Sequence, residues 1–398
     1  MLGFLLARAG VDVVVLEKHA DFNRDFRGDT IHPSTLELMH ELGLLNEFLT
    51  LPHQELRELR ANVNGNMVPI ADFSHLPTQC KFIAFMPQWD FLNFLTSQAK
   101  QFPGFQLLMK TEVSDVIVEN NRVVGLRTKA HPSSHLVGHE DAPHAPIEDL
   151  EIRADLIVGA DGRHSLVRRA AKLEVIESGV PIDVLWMRIS KRPEDPAQSL
   201  GFFRGGKLQV LLDRGDYWQC GHIIPKGKLE DLKSRGLEKF HSDLADMSPF
   251  LRDRLGELDD WSKIKLLTVQ INRLREWCRD GLICIGDAAH AMSPAGGVGI
   301  NLAIQDAVAT ANLLADSLHR GPVTLKDLQK VQQRREWPAR LIQVIQTFVH
   351  RRINGRGDTT STHLPLIARL FRDIPLLRRM PARFIGIGPR PEHVASLR

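Results

Sequence analysis

The sequence predicts an α/β protein with two domains. An antiparallel sheet is inserted into a domain of βαβ type, so the chain as a whole has an α+β arrangement, and the C-terminus is helical. Residues 281–306 and 155–169 each resemble a buried strand that runs through a glycine-containing turn into a helix, which is typical of βα units. Residues 180–225 instead alternate apolar and polar side chains, which indicates antiparallel strands. After residue 314 the pattern is helical and basic. We therefore expect a parallel-sheet domain, an inserted sheet and a helical C-terminus.

Composition excludes several classes of protein. The 398 residues, 43% of them hydrophobic, are enough for two domains with a sizeable core. The 51 basic and 48 acidic residues nearly cancel, and six Trp and one Tyr form no basic and aromatic array, so we expect no nucleic-acid partner. No apolar run reaches about 18 residues, so we expect no transmembrane segment. The cysteines lack metal or C-x-x-C spacing, which predicts reduced thiols in a cytoplasmic protein. They are Cys80, Cys220, Cys278 and Cys284.

The most informative stretch is residues 281–306, GLICIGDAAHAMSPAGGVGINLAIQD. Its apolar strand ends at Gly286 and Asp287, and a loop with three further glycines leads into a helix that starts near Gly299. Such a loop lets a flat or anionic ligand touch the backbone, and the first amides of the helix add a partial positive charge. Asp287 could accept hydrogen bonds from ligand hydroxyls. An ordinary turn between strand and helix uses the same residue types, so the residues alone leave both interpretations open.

The start of the sequence resembles the second half of a βαβ dinucleotide-binding unit, without its first strand and glycine turn. Residues 1–9 predict the end of a helix, residues 11–16 predict a buried strand, and Glu17 follows that strand. In a βαβ unit an acidic residue at this strand end binds a ribose hydroxyl about 20 residues after a G-x-G-x-x-G turn. That turn would precede Met1. Either the sequence begins at an internal methionine or a variant has lost its first strand, and we expect the former, because an empty central position leaves backbone groups unpaired.

A set of residues in the 281–306 stretch resembles the second flavin fingerprint of a known family. These residues are Gly286, Asp287, Ala288, Ala289, His290, Pro294, Gly297, Gly299, Asn301 and Asp306. The family is that of the single-component aromatic-ring hydroxylases, the p-hydroxybenzoate hydroxylase-like FAD monooxygenases. The resemblance implies that Asp287 holds the ribityl chain of FAD. It also implies that the loop from Pro294 through Ile300 to Asn301 runs beneath the isoalloxazine ring and that His290 is structural.

A second motif of the same family lies within residues 155–169, DLIVGADGRHSLVRR. Asp161 and Gly162 match its DG pair. The resemblance implies that both residues lie near the FAD pyrophosphate and take part in binding FAD and the pyridine nucleotide. Three basic residues follow this pair, and they either attract a phosphate-bearing reductant or form a solvated face. They are Arg163, Arg168 and Arg169.

Three isolated residues complete the predicted cofactor site. The family resemblance implies that Arg27 approaches the flavin or its phosphates and that Gln88 touches the cofactor. A surface cation and a polar helix start explain the same two residues equally well. Glu17 is either the ribose ligand or a solvated carboxylate, and its position after a buried strand favours the ribose. No catalytic side chain is identified.

The resemblance and the periodicity together divide the chain into two domains. We expect a Rossmann-like FAD-binding domain, truncated at its N-terminus, from residues 1–55, 86–172 and 275–398, the last of which includes the C-terminal helices. Residues 56–85 and 173–274 form the predicted substrate-binding sheet. Aromatic side chains in this sheet either line a pocket or pack in its core. They are Trp186, Phe202, Phe203, Tyr217 and Trp218.

Two further stretches have a structural and a functional interpretation. Four histidines lie between residues 131 and 144, and a solvated loop explains them better than a metal site because nothing there imposes tetrahedral geometry. The apolar and basic end, residues 364–388, either makes a peripheral contact with a membrane or covers the flavin domain. We expect the covering role, because the proteins that this sequence resembles are mostly soluble.

The resemblance implies an FAD-dependent monooxygenase that uses NADH or NADPH and O2. It would hydroxylate an aromatic or conjugated, lipophilic small molecule through a flavin C4a-hydroperoxide. The nicotinamide nucleotide would bind transiently, because the sequence has one dinucleotide fold. We expect a monomer or a homodimer and no resident metal.

Two alternatives to a monooxygenase stay open. The first is a flavin dehydrogenase or halogenase of the same fold, although Trp218 is followed by Gln219, Cys220 and Gly221 where halogenases have W-x-W-x-I-P. The second is a non-catalytic fragment that cannot retain FAD.

Overall fold

The computed structural model describes residues 1–23, 30–130, 149–196, 200–353 and 364–395. Two predictions lie outside the described residues: the cofactor role of Arg27, and the choice between loop and metal site for His131, His135, His139 and His144.

The described residues form helices and short strands throughout. The α-helices are α1 (Leu2–Arg8), α2 (Pro33–Glu41), α3 (Leu45–Phe48), α4 (Gln88–Ala99), α5 (Leu166–Ala170), α6 (Leu229–Ser234), α7 (Leu237–Met247), α8 (Val298–Arg320), α9 (Leu325–Ile353), α10 (Leu366–Asp373) and α11 (Arg379–Gly386). The strands are β1 (Val13–Leu16), β2 (Thr30–Ile31), β3 (Gln54–Leu56), β4 (Glu58–Val63), β5 (Asn66–Asp72), β6 (Ile83–Phe85), β7 (Phe105–Leu108), β8 (Thr111–Glu119), β9 (Arg122–Ala130), β10 (Asp149–Arg153), β11 (Ile157–Gly159), β12 (Val175–Glu177), β13 (Ile182–Ser190), β14 (Leu200–Arg204), β15 (Lys207–Asp213), β16 (Tyr217–Pro225), β17 (Lys265–Leu267), β18 (Asn272–Leu274), β19 (Cys278–Arg279) and β20 (Leu282–Cys284).

Two parallel strand pairs build the part of the protein that carries the predicted flavin motifs. β1 pairs with β7, and β11 pairs with β20, with Gly159 opposite Cys284. β11 leads into α5 and β20 leads into α8, as expected for βα units. The prediction of an α/β fold is confirmed.

Helix α8 connects the apolar cores of this part of the protein. Val308 and Ala311 pack with α1, α2 and α4, Leu302 packs beneath β20, and Leu314 packs against α9. By length and composition one helix, Ala295–Arg320, which consists of α8 and the turn before it, could span a membrane, but 72% of its most apolar window is buried inside the protein. The burial marks α8 as a core helix.

A seven-stranded sheet forms the second part, in the order β17-β13-β16-β15-β14-β4-β5. Its neighbours are antiparallel except for β14 and β4. One face is covered by α6 and α7, where Leu185 and Met187 pack with Phe240 and Leu244. The sheet therefore joins β4 and β5 to strands more than a hundred residues later, as the predicted inserted sheet requires. β3 and β6, however, lie outside this sheet, in a three-stranded sheet in which β6 pairs with both β2 and β3, and the domain boundaries stay a prediction.

The C-terminal helices cover the edge of the seven-stranded sheet. Ala368 of α10 packs with Val68 of β5, and Ala382 of α11 packs with Ala71 and Phe73. Phe384 also joins the core beneath β20, so the segment reaches both parts of the protein. The outward side keeps exposed apolar side chains: Leu366, Ile367, Leu370, Ile374, Leu376 and Met380.

Candidate functional site

Two turns that each contain an aspartate, one after β11 and one after β20, lie at the same edge of the parallel sheet. β11 and β20 are hydrogen-bonded neighbours, so the turn with Asp161 and the turn with Asp287 leave the sheet at the same end. Gly159 permits this pairing, because a Cβ there would lie 2.9 Å from the Cys284 Sγ. The carboxyl ends of parallel strands are where ligands bind in α/β proteins. The structure therefore brings together the two motifs that the sequence singled out.

Asp287 keeps its carboxylate available. The side chain is 31% exposed, and its Oδ2 lies 3.5 Å from the Arg163 Nη2. It accepts no hydrogen bond from the described residues, and the Nη1 of Arg163 is buried without a hydrogen-bond partner in that part of the chain. A buried donor without a partner is costly, and a ligand that accepts from Arg163 and donates to Asp287 would complete the hydrogen bonding of both side chains. This pair marks the centre of the site.

Arg168 supports this centre from below. Its guanidinium is buried and donates to the backbone oxygens of Arg163, at 2.5 Å, and Ala288, at 3.3 Å. It therefore links the Asp161 turn to the residue after Asp287. Arg169 donates to the His164 oxygen at 2.6 Å and is more exposed. Of the three arginines considered at the sequence level, Arg163 is the one that faces Asp287.

Asp161 has a different role from Asp287. Its Oδ1 accepts from the Ser165 hydroxyl at 2.5 Å, and its Oδ2 accepts from the amides of Leu166 and Val167 at 2.7 and 3.1 Å. Ser165 in turn accepts from the Arg168 amide at 2.9 Å. These contacts cap α5, because its first amides have no partner within the helix. A cofactor role for Asp161 and Gly162 stays a prediction.

The loop from Pro294 to Asn301 passes close to β2 and Asp287. Gly297 has a φ of +63°, and a Cβ there would lie 2.2 Å from the Thr30 Oγ1, so only glycine fits. A Cβ on Gly299 would lie 3.9 Å from the Asp287 Oδ1, which places the start of α8 beside that carboxylate. Pro294 and Ile300 flank this approach, and each is partly buried.

Asn301 holds the loop against the protein. Its Oδ1 accepts from the His32 amide at 3.2 Å and from the Thr35 hydroxyl at 2.8 Å, and its Nδ2 donates to the Gly297 oxygen at 3.2 Å. The side chain is buried. It therefore positions the glycine loop, while its predicted cofactor contact is not tested.

Helix α9 contributes contacts to the loop that the sequence did not suggest. Gln343 donates to the oxygen of Ala291 at 3.1 Å, and Gln346 donates to the oxygens of Ser293 and Ala295, each at 3.1 Å. The Nε2 of His350 lies 3.1 Å from the Ser293 Oγ. The only available signal was three polar residues at spacings of three and four on a helix, which also describes a solvated face.

His32 is a second residue that the sequence did not suggest. Burial lowers its pKa to about 4, against the raising effect of its hydrogen bond to the Ile385 oxygen. The ring is therefore neutral at pH 7, and its Nδ1 lies 2.7 Å from that oxygen. A neutral ring that donates through Nδ1 makes Nε2 an acceptor, and Nε2 is buried with no partner in the described chain.

A buried charged cluster lies directly behind Asp287. The Oδ2 of Asp306 accepts from the Gly286 amide at 2.9 Å and lies 2.5 Å from the His290 Nε2, and its Oδ1 accepts from the Arg335 Nε at 3.0 Å. Burial opposes ionisation of Asp306, but His290 and Arg335 outweigh it and lower the pKa of this carboxyl. The cluster fixes the backbone at the end of β20, which agrees with the structural role that the resemblance implies for His290.

Glu17 and Gln88, the other predicted cofactor residues within the described part of the chain, lie on other elements. Glu17 follows β1, and its Oε1 accepts from the His19 amide at 2.9 Å. Gln88 is the first residue of α4 and is partly buried. β1 and β20 belong to separate strand groups, so Glu17 and Asp287 do not share one hydrogen-bonded edge. The cofactor roles of Glu17 and Gln88 are not tested.

The aromatic residues of the seven-stranded sheet divide between its two faces. Phe202 and Trp218 pack with α7 and the 3₁₀ turn after it, and they belong to the core. Trp186, Phe203 and Tyr217 lie on the opposite face and are partly buried. This division follows the alternation of side chains along a strand. On this face Trp186 packs against Val184 and Val269, Phe203 packs with Ala368 of α10, and the Arg188 guanidinium lies 3.8 Å from the Tyr217 ring centroid.

Comparisons with known proteins identify the family of this chain. The sequence profile of the family described as FAD binding domain matches residues 1–343. The chain is 29% identical over 404 residues to 6-methylpretetramide 4-monooxygenase of Streptomyces rimosus, covering 99% of this chain and 91% of that protein. It is 27% identical over 352 residues to the rifampicin monooxygenase of Rhodococcus hoagii, covering 84% of this chain and 65% of that protein.

A solved structure supports the fold independently. The p-nitrophenol 4-monooxygenase PnpA of Pseudomonas putida DLL-E4 superposes with a TM-score of 0.74 over 98% of this chain and 95% of its own, at 18% sequence identity. At this identity the likeness establishes the fold alone.

Proposed function

The chain belongs to the FAD binding domain family of FAD-dependent aromatic monooxygenases, and from this membership we propose that it uses bound FAD, O2 and NADH or NADPH to hydroxylate an aromatic or conjugated small molecule. The observation that carries this proposal is the carboxylate of Asp287, which accepts no hydrogen bond from the described residues, beside the Nη1 of Arg163, which is buried without a hydrogen-bond partner there. The remaining residues of the site either position these two or shape the backbone around them.

The residues at this edge fit FAD. Asp287 would accept hydrogen bonds from the ribityl hydroxyls, and Arg163 would give its free N–H to an oxygen of the cofactor. Gly299 leaves out a Cβ that would lie 3.9 Å from the Asp287 Oδ1, and Gly297 lets the loop pass close to Thr30 of β2. The first amides of α8 have no side-chain cap, so they add partial positive charge there.

In this proposal the protein supplies binding and orientation. Bound FAD would supply the two-electron redox chemistry and the activation of O2. Gln346 holds the oxygens of Ser293 and Ala295, so the loop keeps one conformation as the ring binds. The seven-stranded sheet would hold the apolar substrate and exclude water.

The finer parts of the proposal concern the co-substrate and the surroundings. Transient binding of NADH or NADPH is supported by the match to one FAD binding domain over residues 1–343 and by the positive charge of Arg163. The division into an FAD-binding domain and a substrate sheet is supported by the separate seven-stranded sheet. A peripheral membrane contact, which the exposed apolar side chains and arginines of α10 and α11 support, stays a prediction, as does a monomer or homodimer.

One set of measurements on the purified chain tests the function. FAD titration, followed by flavin fluorescence, should show saturable binding. NADH or NADPH oxidation should then accelerate when phenols are added, and mass spectrometry should find product that contains one more oxygen. A chain that binds no FAD would support the non-catalytic alternative. Oxidation of NAD(P)H coupled to reduction of O2 to H2O2, unchanged by any aromatic compound and without an oxygenated product, would support the dehydrogenase alternative.

A further inference from the structure

The last described segment, residues 385–395, consists of the end of α11 and the chain that follows it. It contacts α2, α8 and α9, and we name it the C-terminal strap. Its outer end is tied down by several hydrogen bonds. The Val394 amide donates to the Glu41 Oε2 at 2.7 Å, and the Ala395 amide donates to the Asn312 Oδ1 at 3.1 Å. Asn312 also donates to the His393 oxygen at 2.8 Å. The strap therefore spans from α11 to α2 and α8.

Glu392 is the charged residue that the strap buries. It is 6% exposed, and its carboxylate meets two arginines of α9. Arg334 donates to both oxygens at 2.8 and 3.1 Å, and the Nη1 of Arg335 donates to Oε1 at 3.0 Å. The Glu392 amide is itself bonded to the side chain of Gln305. Burying a carboxylate is costly, and these charge-assisted bonds offset that cost only in this geometry.

Arg335 connects Glu392 to the end of β20, where Gly286 and Asp287 lie. The guanidinium uses Nη1 for Glu392 and the Arg390 oxygen, and Nε for Asp306 at 3.0 Å. Asp306 accepts the Gly286 amide, one residue before Asp287. We name this chain of contacts, from Glu392 through Arg335 and Asp306 to the Gly286 amide, the relay. All three side chains are buried, so solvent does not screen it.

The strap reaches the loop at a second point. The Ile385 oxygen is 2.7 Å from the Nδ1 of His32, whose amide donates to Asn301. Asn301 then donates to the Gly297 oxygen at 3.2 Å. The strap is thus linked to the end of β20, at Gly286 through the relay, and to the glycine loop, at Gly297 through His32 and Asn301.

We propose that the C-terminal strap positions the FAD site, with Glu392 and Arg335 as positioning residues that act through Asp306 on the backbone beside Asp287. The inference rests on the proposed function, because it concerns the affinity for FAD. Docking of the strap selects one position of the Gly286 amide and of the glycine loop. By thermodynamic reciprocity, FAD that prefers this arrangement must in turn stabilise the docked strap.

Reciprocity can be measured on the wild-type protein. Saturating FAD should slow hydrogen exchange of the Val394 and Ala395 amides at least about fivefold, the low end of ordinary coupling between sites. Exchange in α6 and α7, which pack on the seven-stranded sheet, serves as the internal control and should change little. Bound FAD with unchanged exchange in the strap would overturn the inference.

Matched variants test the relay itself. Glu392→Gln should raise the Kd for FAD about tenfold, and Glu392→Asp should restore part of the affinity. Glu174→Gln, which breaks an exposed ion pair with Arg275, is the control and should leave the Kd unchanged. Faster strap exchange in Glu392→Gln with a wild-type Kd would show a purely structural strap and refute the relay. A wild-type protein that binds no FAD would instead refute the proposed function.

Discussion

The turns after β11 and β20 use the same kind of residues for different purposes. Both contain an aspartate, and they leave adjacent parallel strands at one edge. The carboxylate of Asp161 accepts three hydrogen bonds from α5 and the residue before it, whereas Asp287 faces Arg163 at 3.5 Å and accepts none from the described chain. Asp287 thus leaves unused the hydrogen-bonding capacity that Asp161 uses to cap α5, and for this reason we propose Asp287, and not Asp161, as the carboxylate that binds FAD.

The number of residues between each aspartate and the next α-helix explains why Asp161 caps a helix and Asp287 does not. α5 begins at Leu166, so its first amides lie within reach of Asp161. α8 begins only at Val298, after the glycine loop, and no side chain caps it. Asp287 lies beside the start of α8 but accepts no hydrogen bond from its first amides. The loop that separates the two is what leaves the carboxylate available.

The largest expected effect comes from the glycines of the two turns. Gly297→Ala places a Cβ 2.2 Å from the Thr30 Oγ1 at a φ of +63°, so we expect a loss of about 3 kcal/mol in the free energy of unfolding. Gly162→Ala has a φ of +83° but meets no atom within 4 Å, so we expect about 1 kcal/mol. Urea unfolding of the two variants checks the ranking. Equal losses would mean that backbone strain alone, and not the close approach to β2, makes Gly297 necessary.

The second-largest effect is that of Asp287→Asn, which should weaken FAD binding but leave the free energy of unfolding nearly unchanged. Asp287→Asn should weaken FAD binding by about 1.5 to 3 kcal/mol, because hydrogen bonds to a charged acceptor are lost. The free energy of unfolding without FAD should change by no more than about 0.5 kcal/mol, since the carboxylate accepts no bond that the amide would break. Fluorescence titration and urea unfolding of the same sample measure both. Unchanged FAD affinity would remove Asp287 from the site.

The sequence predicted those parts of the site that depend on short-range order. The ends of β11 and β20 and the loop to Asn301 are contiguous in the chain, so their periodicity and glycines were visible. His32 and Gln346 were missed because they reach the loop from segments distant in sequence and resemble ordinary polar residues. The cap formed by Asp161 was not predicted, because an aspartate before a helix fits both a ligand and a cap.

The smallest effect should come from Asp161, and it is the reverse of the effect of Asp287. Asp161→Asn keeps one acceptor but loses the charge that holds Ser165 and two amides of α5, so we expect the free energy of unfolding to fall by about 1 kcal/mol. FAD affinity should fall by less than it does in Asp287→Asn, because the carboxylate is already occupied by the helix. Ser165→Ala, which removes the partner that Asp161 and the Arg168 amide share, should give a similar loss of stability. If Asp161→Asn instead weakened FAD as strongly as Asp287→Asn, the cap would open on binding and both turns would contact the cofactor.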